Sequence, residues 1–157
     1  MAPAFDNRKV CDLLNDLIML DLDAVKAYQS AIDRISVATI AERLTSFKHD
    51  HERHVANLSA EVRRLGGTPA DRRDFKGPFI QGFTAIMSMM GVEEALRAMR
   101  GNEELTNKTY ENALQQPLPA DVRLVVEENL RDEQRHLAYI QEALRDHIWE
   151  TELGAHI

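Results

Sequence analysis

Apolar residues recur at spacings of three and four along four stretches of this chain, the pattern of helices that bury one face. The first stretch carries Val10, Leu13, Leu14, Leu17, Ile18, Leu20, Ala24, Ala27, Tyr28, Ala31 and Ile32. That is a stripe of about seven turns, entered through Asp6 or Asn7, either of which can cap it. After a polar break at Ser36–Thr39, the second runs through Ile40, Leu44, Phe47, His51, His54, Val55, Leu58 and Val62. Gly66-Gly67, with Pro69 beyond, supplies its stop. The third spans Val92 to Gln115, with Leu96, Met99, Glu103, Thr106 and Tyr110 down one side. Pro117 and Pro119 separate it from the fourth, with Pro119 near the first turn. There Val122, Val125, Val126, Leu130, Glu133, His136, Leu137, Ile140 and Leu144 recur, and the helix is expected to continue through Trp149, with a frayed tail after Thr151. Short connections within each pair make antiparallel neighbours.

Several polar residues break these stripes on the side meant for the core. Asp21 and Glu103 stand where apolar residues are expected, as do the pairs His51-x-x-His54 and Glu133-x-x-His136. Residues three apart share a helix face, so each pair can aim at one point. A buried carboxylate is costly unless something pairs with it.

A shift of 82 residues relates these positions. It lays Asp21 on Glu103, Tyr28 on Tyr110, Asp50 on Asp132, His51 on Glu133, Arg53 on Arg135 and His54 on His136. Over residues 10 to 64 it gives 11 identities, where chance in a helical composition gives roughly 3 to 5. One gap-free offset serving both helix pairs reads as a diverged internal duplication. The chain is thus two helical hairpins, about 6–66 and 92–150, joined by a crossover at about 67–91, in a single domain over 1–157. In such a bundle Asp21, His51, His54, Glu103, Glu133 and His136 can converge at mid-height. Carboxylates are hard oxygen donors able to bridge two cations, and imidazoles terminate them. Tyr28 and Tyr110 are candidates to support the carboxylates, or to hydrogen-bond across the core. Arg53 and Arg135 either orient carboxylates or pair along a helix surface. Asp23 falls outside the set, because its repeat mate is Leu105. His49, His147 and His156 have no ligand-type mates and are expected in solvent.

Composition narrows the field. The 157 residues suffice for one sizeable core, and Ala, Leu, Glu and Arg dominate, as in helical proteins. A net charge of -7 argues against a broad nucleic-acid surface and suits cation uptake. Cys11 is alone, so no intrachain disulfide forms and a reducing compartment fits. The N-terminus has no apolar signal-peptide core and no apolar run approaches the ~20 residues of a membrane span, so a cytoplasmic protein is expected. The crossover is the apolar exception, with Phe75, Phe79, Ile80, Phe83, Ile86, Met87, Met89 and Met90. It reads either as packing on the bundle or on a second subunit, giving a homodimer through 75–90, or as a partner- or membrane-contacting segment. Its methionines read as adaptable packing.

The motifs Leu-Asp-Leu-Asp-Ala (20–24) with Tyr28, Asp-His-Glu-Arg-His (50–54), Leu65-Gly66-Gly67, Asn102-Glu103 with Tyr110, and Asp-Glu-Gln-Arg-His (132–136) resemble the ferritin-like superfamily, in particular bacterial members of unknown function. The resemblance covers about residues 8–148 and implies an all-α, ferritin-like four-helix bundle. It also implies a dinuclear iron or manganese centre that reacts with oxygen or peroxide. Glu103, Glu133, His54 and His136 match that ligand pattern, and Asp21 matches with a shorter carboxylate. His51 departs from it, because the superfamily pattern has Glu there. An imidazole cannot bridge two metals without losing its proton, so an asymmetric pair bridged by Glu133 alone, or a mononuclear site, follows. Asp50 is an alternative ligand, ranked below His51 because it points about 100° away on an ideal helix. A catalytic di-metal protein with ferroxidase or peroxide chemistry is the first expectation. A non-enzymatic binding or stress-related bundle with a degenerate site is the second. No cysteine cluster for a rubredoxin-type domain accompanies the motifs.

Overall fold

The computed structural model describes residues 5–71 and 91–150. Four long helices account for most of them: α1 (Asn7–Arg34), α2 (Ala38–Arg64), α3 (Val92–Ala113) and α4 (Ala120–Asp146). Asp6 caps α1, its carboxylate accepting from the Arg8 and Lys9 amides at 3.1 and 3.3 Å. The break between α1 and α2 covers 35–37, shorter than the polar Ser36–Thr39 run suggested. Ile35 and Val37 are buried, and the corner turns on them while Ser36 faces out. Gly66 follows α2 with φ +87°, a conformation that favours glycine.

Contacts fix the helix directions. Cys11 meets Val62 and Lys48 meets Gln29, so α1 and α2 are antiparallel. Tyr28 meets Glu103 while Tyr110 meets Asp21, so α1 and α3 are antiparallel too. Asp50 meets His136 while Asn57 meets Asn129, which makes α2 and α4 antiparallel. The end of α2 and the start of α3 therefore lie at opposite ends of a four-helix bundle, a separation of about 33 Å for a 22-residue helix. The apolar 75–90 segment and the homodimer expected through it fall outside the described residues. Among the described residues, no helix is long and apolar enough to cross a membrane.

The fourth helix does not run unbroken through Trp149. It ends at Asp146, and His147 takes a left-handed conformation (φ 49°, ψ 48°). On a continuous helix Trp149 would lie about 180° from Ile140, on the solvent side. The break turns the indole inward, where it is buried beside Ala143 and Ile140. Small differences of one or two residues at the end of α3 are ordinary fraying.

The core is split in two. One apolar cluster gathers Tyr28, Ile40, Leu44, Phe47, Leu96, Met99 and Ile140. The other gathers Leu14, Leu17, Ile18, Leu58, Val62, Tyr110, Val122 and Val126. Gly67 closes the second cluster, and a Cβ built there would stand 2.7 Å from Cys11 Sγ and 3.1 Å from Val62 Cγ1. Gly67→Ala is expected to cost about 1–3 kcal/mol, lowering the melting midpoint by a few degrees in a thermal scan. No change in that midpoint would mean the Cys11 corner yields freely.

Candidate metal centre

Between the two apolar clusters lies a polar layer. Asp21, His51, His54, Glu133 and His136 are 0% exposed, and Glu103 is 1% exposed. They come from all four helices, at the mid-height positions where the stripes were interrupted. The structure thus brings together all six residues singled out by the sequence. Two overlapping groups of ligand-type atoms form, each within 4.8 Å: Asp21, His51, His54 and Glu133, and His51, Glu103, Glu133 and His136. The 82-residue shift carries one group onto the other. His51 and Glu133, repeat mates, belong to both.

The two shared residues face each half with a different atom. His51 Nδ1 lies 2.7 Å from Asp21 Oδ1, while its Nε2 lies 3.3 Å from both Glu103 Oε1 and Glu133 Oε2. Glu133 Oε1 lies 3.0 Å from His54 Nδ1, and Oε2 lies 3.3 Å from His136 Nδ1. The carboxylates are held from behind by the tyrosines. Tyr110 O–H donates to Asp21 Oδ2 at 2.5 Å, and Tyr28 O–H donates to Glu103 Oε1. Burial, reinforced by these carboxylates, pushes both phenols well above their ordinary value, so they stay donors.

The outer imidazole nitrogens are held by carboxylates too. His54 Nε2 sits 2.9 Å from Asp132 Oδ2, and His136 Nε2 sits 2.8 Å from Asp50 Oδ2. A carboxylate on one ring nitrogen fixes ring orientation and turns the other nitrogen inward. Asp50 belongs to neither inner group, and its partners are His136, Arg135 and Arg53. Arg53 pairs with Asp50 and Asp132, and Arg135 with Asp132 and Asp50. Both arginines are about half exposed, so these ion pairs cover the layer on its α2–α4 face. Asp23 is buried but belongs to neither group, and His49 and His147 are exposed. His156 lies outside the described residues.

Asn107, which the sequence pattern did not flag, ties α3 to α4 beside the layer. Its side-chain amide donates to the Glu103 and Glu133 carbonyls at 2.8 and 3.1 Å. Asn57 and Asn129 exchange paired hydrogen bonds between α2 and α4. Under the 82-residue shift this amide pair corresponds to Tyr139 and Phe47, which instead make an edge-to-face aromatic contact at 5.5 Å. Phe47 also stacks on His136 at 4.2 Å. The duplicated frame is therefore lined differently in its two halves.

Carboxylates and imidazoles in the layer shift one another's proton affinity. Burial alone would lower His54, but the hydrogen bond to Asp21 and the facing Glu133 carboxylate outweigh it and raise the group to about 9. His136 behaves the same way, raised to about 10 by Asp50, Glu103 and Glu133 against burial. His51 is also held well above its ordinary value. Burial would raise Asp21 and Glu103, yet the facing imidazoles hold both below the usual carboxylate range. Glu133 goes the other way, pushed up by burial and by Glu103 against the pull of His51.

The hydrogen bonding of the donor set fits a metal. Glu133 Oε1 and Oε2, Glu103 Oε2 and His136 Nδ1 are buried and have no hydrogen-bond partner within the protein. Nitrogens stand 3.0–3.3 Å from Glu133, at hydrogen-bond distance but not in hydrogen-bond direction. Leaving a buried carboxylate oxygen unbonded is expensive, and converging lone pairs are what a cation requires. Hard oxygens with imidazole nitrogens suit iron or manganese. The residues fit the group.

Two solved structures share the architecture. A ferritin-like, diiron-carboxylate protein from Bacillus anthracis str. Ames aligns with a TM-score of 0.73 at 20% identity, covering 90% of this chain and 99% of that one. The bacterioferritin of Desulfovibrio desulfuricans, whose structure shows a diiron site, aligns with a TM-score of 0.71 at 20% identity, covering 88% and 80%. The fold is the ferritin-like four-helix bundle. No curated protein matches the chain. Residues 9–116, more than half of the chain, match the family described as Domain of unknown function (DUF2383), and the protein belongs to that family.

Proposed function

We propose that this protein is a ferritin-like carboxylate–histidine metalloprotein that takes up iron, or manganese, and acts on oxygen or peroxide. Asp21, His51, His54, Glu103, Glu133 and His136 would be the ligands, with the 1–157 chain working as one domain. The observation that carries this is Glu133: fully buried, at the centre of three imidazoles, with neither oxygen in a hydrogen bond. The diiron sites of the two structural relatives support the choice of metal. A bound redox metal would supply Lewis acidity and electron transfer to oxygen or peroxide.

The chain's own residues prepare the place for it. Tyr28 and Tyr110 fix the outer carboxylates by donating to one oxygen of each. Asp50 and Asp132 set the rings of His136 and His54. Phe47, Leu58, Met99 and Ile18 exclude water from above and below, which strengthens every electrostatic interaction inside. Asp21 favours a second, non-enzymatic reading, a polar layer serving structure or a single metal, because both of its oxygens are already engaged by His51, His54 and Tyr110.

Metal analysis and oxygen consumption separate the two readings. Protein purified without chelator and loaded with ferrous iron is expected to retain stoichiometric metal and to consume oxygen as iron is added. Metal retained without oxygen consumption would favour the binding module. No retained metal would end the metalloprotein reading.

A further inference from the structure

We infer that the two half-sites are unequal, and that the first divalent cation enters the half built from His51, Glu103, Glu133 and His136. The Asp21–His54 half fills only at higher concentration. This rests on the metal-binding reading above and adds an order of filling to it.

The two halves share one backbone plan but differ in which ligand atoms are already bonded. In the first half, Glu103 Oε2, Glu133 Oε2 and His136 Nδ1 all lack a hydrogen-bond partner. Glu103 gives only Oε1 to Tyr28 and His51 and keeps its other oxygen free. His136 is held on its outer nitrogen by Asp50 and presents the inner one. In the second half, only Glu133 Oε1 lacks a partner. Asp21 Oδ1 accepts from His51 at 2.7 Å and from His54 at 3.2 Å, and Oδ2 accepts from Tyr110 at 2.5 Å. His54 is engaged on both nitrogens.

A cation entering the Glu103–His136 half therefore finds three ligand atoms outside any hydrogen bond and has only the longer His51–Glu103 bond, at 3.3 Å, to break. One entering the Asp21–His54 half has to break the short His51–Asp21 bond and the His54–Asp21 bond first. His51 deepens the difference. Its Nδ1 is committed to Asp21, which turns Nε2 toward Glu103 and Glu133. Asp21 thus positions a ligand of the other half, as a carboxylate behind a metal-bound imidazole does. The root cause is two departures from the repeat: Asp21 is one methylene shorter than Glu103, and His51 replaces the mate of Glu133.

The test uses the metal-free 157-residue protein titrated with cobalt(II). The first equivalent is expected to bind at least about tenfold more tightly than the second, the scale set by loss of one fixed ligand orientation. Crystals grown at one equivalent should place the anomalous cobalt peak beside Glu103 and His136. The repeat mates give a matched pair of variants, checked for helix content beforehand. His136→Asn is expected to weaken the first equivalent by about tenfold or more. His54→Asn should weaken the first equivalent less than His136→Asn does, and should remove the second. Two equivalents of equal affinity, or cobalt found first beside Asp21 and His54, would overturn the order of filling while leaving the metal-binding reading intact. Wild-type protein that binds no cobalt would overturn both.

Discussion

Glu133→Ala is expected to lower metal affinity at both half-sites by more than roughly a hundredfold, since even the loss of a residue that only orients a ligand costs about 10–100-fold. Glu133 is shared by both groups of ligand-type atoms, and no other carboxylate is. Its two oxygens face His54 on one side and His51 and His136 on the other. Truncation therefore removes an oxygen donor from each half at once. Equilibrium dialysis against ferrous iron, followed by metal analysis, reads the result directly. In metal-free protein the same change strips the imidazoles of a central partner, and breaking a buried ion pair on one side costs about 3–5 kcal/mol. Glu133→Gln keeps the shape and isolates the loss of charge. Wild-type metal content in both variants would mean that the ligands lie elsewhere.

The chelated protein is expected to lose stability as the pH rises from about 6.5 to about 10. His54 and His136 have folded-state values raised to about 9 and about 10. A group raised on folding stabilises fully below its unfolded value, about 6.5 for His, and that contribution disappears as pH climbs through the folded value. Taken alone, each shift corresponds to roughly 3 to 5 kcal/mol. Both histidines face Glu133, so the two do not simply add. Asp21 and Glu103, held low, contribute in the opposite sense and lose their share as pH falls toward the acid range. Stability of the metal-free protein should thus peak near neutral to mildly acidic pH. Urea unfolding at several pH values, with and without bound metal, tests this. The loaded protein should resist the alkaline loss, because a cation takes the place of the protons. A flat profile for the chelated protein would mean the imidazoles are already neutral.

The bundle was legible because the apolar stripes are long and their ends well marked, by Asp6 before α1 and by Gly66 after α2. The polar layer was legible because Asp21 and Glu103 interrupt stripes that have no other reason to be interrupted. Repeat pairing then connected residues 82 positions apart in sequence. Asp50 and Asp132 show where that reading ends. Both are repeat mates, and the signal was present in the identities, but helical angle alone placed Asp50 about 100° from the site. Its true partner is on another helix, and α2–α4 register sets that contact. The same limit explains Asn107, which looks like an ordinary polar residue until α3 and α4 are brought side by side. Trp149 shows the converse, a continuous pattern interrupted at His147, beyond which one large side chain turns into the core.

Each group of ligand-type atoms draws on both hairpins. Asp21, His51 and His54 need Glu133 from the far hairpin, and Glu103, Glu133 and His136 need His51 from the near one. An ion seated in either half would act as a non-covalent cross-link between two units whose chain connection is a single crossover. Pulling the hairpins apart would then require ejecting the ion, so the metal would set the rate at which the bundle opens. Chelation would turn a slow, clamped separation into a fast one without altering a single apolar contact.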